Sequence, residues 1–151
     1  MSVIWALVAN SSYAQIYEIK GHGKEINEIR LYDNPDGRKK NGDFNTDKPG
    51  RTFDSLGGGR HAYSTHNDPH TQEVLTFALK LTKDLEKAKN EKLFDELAFI
   101  APSHFIGALH ESLQDNVKKS VIKEVHKDLP QTVKGKERLA LLADYLDLWN
   151  R

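Results

Sequence analysis

A chain of 151 residues can bury roughly 68 to 70% of its unfolded surface around one core, so no covalent staple is required and residues 1–151 are read as a single domain. It contains no cysteine, which excludes structural disulfides, thiolate nucleophiles and cysteine-held zinc. Its 22 basic and 22 acidic side chains cancel, so no global field drives it toward nucleic acid or an anionic membrane, and any such binding has to be local.

Residues 3–9 form an apolar run rich in Val and Ile that stops at Asn10-Ser11-Ser12. Without a preceding Lys or Arg, the run reads as a buried central strand and not as a signal peptide. No other run approaches the ~18 apolar residues of a membrane span, and the expected location is cytoplasmic. Residues 13–19 and 25–32 read as two further strands joined at Gly21-His22-Gly23. In the second, Ile26 and the pair Ile29/Leu31 fall on opposite phases of the alternation, which predicts a bulge.

Residues 35–69 carry six of the ten glycines and no periodicity, and a loop of that length in a compact domain points to function or disorder. Asp68-Pro69 ends it as a helix cap and first helical residue. The helix runs to about Asn90, with Val74, Ala78, Leu81 and Leu85 on one stripe and Lys80, Lys83, Asp84 and Lys87 outside it. Residues 97–101 are a short apolar strand broken by Pro102, followed by a helix from His104 to about Leu113. Residues 117–126 contain a mixed strand. Residues 136–148 read as an amphipathic helix with Leu139, Leu142, Tyr145 and Leu146 inward.

The resulting order is βββαβαβα: an antiparallel meander, then strands added in parallel through crossovers, in a five-stranded mixed sheet with three helices. That α/β order is ribonuclease-H-like. With the first strand beside 97–101, the segments Asn10-Ser11-Ser12 and Pro102-Ser103-His104 border one crevice at the carboxyl ends of the strands, where ligands of open α/β sheets bind.

Four chemistries compete for these residues. A two-metal nuclease needs clustered carboxylates, but the first strand ends in Asn10 and 101–103 offer no acid. His61, His66 and His70 are weak metal candidates at a spacing that matches no closed site, so no metal and no cofactor are expected. The run Gly57-Gly58-Gly59 lacks the spacing of a nucleotide loop. Ser103 with His104 lacks a nucleophile elbow, and Ser103 reads as a helix N-terminal residue.

The string TDKPGRTFDSLGGGRHAY (46–63), after the opening strand VIWALVANSSYAQIYEI and before LAFIAPSHFIGAL (97–109), resembles the bacterial proteins named as required for attachment to host cells. That family is similar to the middle domain of archaeal and eukaryotic peptide-chain release factors, and the resemblance implies that fold. It also implies that Gly58-Gly59-Arg60 stands where those factors carry a Gly-Gly-Gln tip.

A guanidinium only donates and keeps its charge, which suits phosphate where an amide suits water. The expectation is therefore a release-factor-like domain, more a binder than an enzyme, that takes structured RNA or the ribosome. Its expected contacts are Asn10, Ser11, Lys48, Arg51, Gly58, Gly59, Arg60, His61, Ser103 and His104, with protein partners possible and no membrane. The rivals are an interaction protein acting in attachment to host cells and a metal-dependent hydrolase using the loop histidines.

Overall fold

The computed structural model describes residues 2–38 and 69–147. Five strands form one mixed sheet: β1 (Ile4–Asn10), β2 (Tyr13–Lys20), β3 (Glu25–Asp33), β4 (Glu96–Ala101) and β5 (Val121–His126). Their order is β3-β2-β1-β4-β5. The β1–β2 and β2–β3 pairs are antiparallel, while β1–β4 and β4–β5 are parallel, so β2 alone runs against the other four.

β1 is central and buried on both faces, as its unbroken apolar composition demands. A 3-10 turn at Gly21–Gly23 joins β2 to β3; Gly21 and Gly23 have φ of 63° and 95°, a region that glycine enters without steric cost. The bulge expected in β3 is present: Ile16 pairs with Arg30 but Tyr17 pairs with Glu28, which leaves Ile29 unpaired.

Four α-helices are described: α1 (Pro69–Asn90), α2 (Ser103–Ser112), α3 (Asp115–Lys118) and α4 (Gly135–Tyr145). α1 and α2 pack on each other and cover one face of the sheet. There Val74, Phe77, Ala78, Leu81 and Leu85 of α1 meet Trp5, Leu7, Phe99 and Phe105, and each large side chain contributes about 1.5–3 kcal/mol of burial. α1 ends in a Schellman motif, with Leu93 N–H bonded to Ala88 O and Lys92 N–H to Lys89 O, both at 3.0 Å. Lys92 holds φ of 60° there, the left-handed position usually given to glycine.

α4 covers the other face through Leu142, Ala143 and the following Leu146, which pack on Ile4, Ala6, Val8 and Ile100. Three sequence expectations are corrected. α3 adds a fourth helix to the three expected, just before the strand contained in 117–126, because four residues carry no readable period. α4 stops at Tyr145. Leu139 is 38% exposed while Arg138, one position earlier, is only 5% exposed.

Candidate functional site

Because β1, β4 and β5 are parallel, their carboxyl ends lie at one edge and deliver Asn10, Ser103 and His126 to it. β3 ends at the same edge. There a 3-10 turn at Pro35–Arg38 packs against α1, and the described chain stops at Arg38 and resumes at Pro69. The far end of α1 is near the opposite edge, where Asp95 N–H bonds Val3 O at 2.9 Å. With a rise of about 1.5 Å per residue, this 22-residue helix therefore has its first turn at the carboxyl edge.

The turn between β1 and β2 is built on Asn10. Its Oδ1 accepts from Ser12 N (2.8 Å), Ser12 Oγ (2.8 Å) and Tyr13 N (3.2 Å), and its Nδ2 donates to Asp128 Oδ1 at 3.0 Å. Such a side chain closes a turn by imitating backbone. The Asn10 carbonyl oxygen is thereby filled, and one amide proton is committed to Asp128.

Ser11 is held from the other side: its carbonyl accepts from Asn34 Nδ2 at 2.8 Å, and its Oγ lies 3.4 Å from Gly37 O. Gly37 is buried against this turn, and a Cβ there would sit 1.6 Å from Ser11 O. No residue with a side chain fits.

Ser103 opens α2 directly after the N-cap Pro102, which has no side-chain cap to offer. The Ser103 Oγ lies 2.8 Å from His126 Nδ1. The partner of Ser103 is therefore the histidine at the end of β5, not the adjacent His104, which is exposed at the next helical position. A second pair, His110 Nε2 with Glu124 Oε2, again joins α2 to β5. Residues 124 and 126 share a strand face two apart, so α2 is clipped to β5 at both points.

Lys48, Arg51, Gly58, Gly59, Arg60, His61 and His66 lie outside the described residues, and His70 is the second residue of α1. Among the described residues no group of three His, Asp or Glu is placed to hold a metal, and no helix is long and apolar enough to cross a membrane.

Sequence reading missed Arg138. Its Nε donates to Tyr17 OH (2.9 Å), its Nη1 to Pro130 O and Val133 O (both 3.0 Å), and its Nη2 to Tyr13 OH (2.5 Å) and Gln15 Oε1. All five guanidinium donors are used, and no acceptor is a carboxylate. Burial opposes its charge, but the bonds to Tyr13 and Tyr17 outweigh it and raise its pKa. Burial also raises the Tyr13 phenol, against the pull of Arg138. Its signal was position: Arg138 stands one turn before Leu142 on the buried face. Beside it a groove of about 750 Å³ opens between β2, β3 and residues 131–139, with Ile26, Glu28, Leu31 and Lys134 in its walls.

The family described as "Protein required for attachment to host cells" matches residues 5–136. The chain belongs to that family. No curated protein matches the sequence. Among solved structures, a chain of a PilM-PilN type IV pilus biogenesis complex is 13% identical with a TM-score of 0.43, covering 97% of this host-attachment chain and 44% of its own length. The present chain thus spans less than half of that one.

Proposed function

We propose that this member of the host-attachment family is a release-factor-like domain that binds structured RNA or ribosomes without catalysis, in the cytoplasm. The observation that carries the reading is one of placement. Asn10, Ser11, Ser103, His104 and His126 lie at the carboxyl edge of the sheet, and the described chain leaves and re-enters at that edge, at Arg38 and Pro69. The sequence between those points carries Lys48, Arg51, Arg60 and His61, whose cationic groups suit phosphate. Support for the ribonuclease-H-like, release-factor-like arrangement comes from the strand order with β2 alone reversed.

Binding without catalysis is favoured because Asp128, a carboxylate beside Asn10, is engaged by the Asn10 amide. Co-sedimentation with ribosomes tests the reading. The protein pellets with them at low salt and is released as salt rises, because phosphate contacts weaken steeply with ionic strength. No association at low salt removes it. The family description favours a second reading, an interaction protein in attachment, for which detection on intact, unlysed cells is the deciding result.

A further inference from the structure

α4 packs on β1 and β4, and on the outer side of that sheet face, over β2 and β3, lies the groove of about 750 Å³. Small-molecule sites span about 300–1,000 Å³. Its apolar walls are Ile26, Leu31, Val133 and Leu139. Leu31 is 57% and Leu139 38% exposed, so water covers hydrocarbon that an apolar ligand would bury. Three charged side chains also line the groove: Glu28, Lys134 and Arg138. Two of them are committed. Arg138 has all five donors engaged, and Glu28 accepts from Gln15 Nε2 at 2.9 Å, while Gln15 Oε1 accepts from Arg138. Lys134 is exposed, and its ammonium makes no hydrogen bond or ion pair among the described residues.

We infer that the groove is a binding site for a small amphipathic monocarboxylate, with its apolar body against Leu31 and Leu139 and its carboxylate on Lys134. The balance of charge selects the sign. Two cations face one anion, the anion is already held by an amide, and the buried guanidinium has only neutral acceptors. An ammonium-bearing ligand therefore meets net positive charge. One free cation selects a single negative charge, and the leucines require hydrocarbon beside it, which a phosphodiester backbone does not supply. A lysine stem can also simply cover apolar wall with its ammonium in water, but that role favours no anion over a neutral or cationic ligand. The site is independent of the RNA reading, which rests on other residues.

The test is an NMR titration of the isotope-labelled full chain with phenylbutyrate, phenylbutylamine and phenylbutanol. The expected result is saturable shifts from the carboxylate in residues 26–31 and 131–139, with a Kd of about 1 mM or tighter, as so small a ligand allows. The amine binds about tenfold more weakly or worse, and the alcohol falls between. Lys134→Glu reverses the preference in favour of the amine, and Lys134→Arg keeps it. Leu31→Gln and Leu139→Gln each weaken carboxylate and alcohol alike by about threefold or more; they lie on different elements, so the site stays readable if one variant fails to fold. No saturation by about 10 mM carboxylate, equal affinity for the amine, shifts centred elsewhere, or an unchanged preference in Lys134→Glu overturns the inference. So does a wild-type dimer in sedimentation that Leu31→Gln dissociates, since the occupant is then a second copy of the chain. Ribosome pelleting is scored separately: carboxylate binding without pelleting keeps the groove and loses the ribosome reading, and the reverse result loses the groove alone.

Discussion

The two faces of the sheet are closed by different physics. On the face of α1 and α2, contact is apolar and aromatic: Phe77 and Phe105 lie 5.9 Å apart, and Trp5 and Phe94 5.1 Å. The indole N–H of Trp5 is the only buried side-chain polar atom without a partner among the described residues. On the face of α4, an 11-residue helix gives less apolar area, and a single guanidinium pins strand, loop and helix through five directed bonds. Area tolerates small shifts, whereas the hydrogen-bonded closure fails when one hub is removed.

The sharpest way to break that contrast is to damage each face once. Phe105→Ala, at a fully buried position, is expected to cost about 3–5 kcal/mol in urea unfolding, with hydrogen exchange rising throughout the sheet. Arg138→Leu keeps bulk but strands two phenols and two carbonyls, for an expected loss of about 3 kcal/mol. Exchange should then rise first in residues 129–146. Equal and uniform exchange in both variants would erase the distinction between the faces.

Tyr13→Phe removes one donor and one acceptor from the hub and is expected to cost about 1–2 kcal/mol. It also has a pH signature. Burial raises the phenol pKa of Tyr13 above 10.0, and burial with Asp84 raises that of Tyr32 on the opposite face. The folded chain holds both protons more tightly than the unfolded chain, so the stabilisation is complete below pH 10 and is lost as pH climbs past the folded values. Tyr13→Phe and Tyr32→Phe should each flatten part of that alkaline decline in stability. A decline unchanged in both would place its cause elsewhere.

The smallest effects are local. Lys92→Gly relieves a left-handed lysine and should stabilise by about 0.5–1 kcal/mol, read as a shift in urea midpoint at constant slope. Ser103→Ala sits at an exposed position and should alter stability by less than about 0.5 kcal/mol, leaving any effect on ribosome pelleting attributable to binding.

The strands and α1 were legible because their burial writes a period into the sequence. Val74, Ala78, Leu81 and Leu85 sit on the buried stripe that their spacing predicts, and the phase break at Ile29 marks the bulge. α3 was not legible, being too short to show a period. Arg138 was not legible because polarity argued outward, and only its five partners, from residues 13 to 133, explain an inward arginine. At the site, adjacency suggested Ser103 with His104, but successive helical side chains diverge by about 100°, whereas parallel pairing of β4 and β5 brings His126 to Ser103. Asn10, expected to contact a ligand, has its carbonyl oxygen occupied by the turn it builds.

The bonds around the hub also order events in time. Asn10 to Asp128, Tyr13 to Leu129 and Arg138 to Tyr13 span 118, 116 and 125 residues of chain, while β1, β2 and β3 are joined by short turns. Closing so long a loop carries an entropy cost that the meander does not meet. The hypothesis is that the three-stranded meander forms early and the clasp of residues 128–138 closes last. Tyr13→Phe should then speed unfolding while leaving the refolding rate nearly unchanged; a variant that mainly slowed refolding would reverse the sequence of assembly.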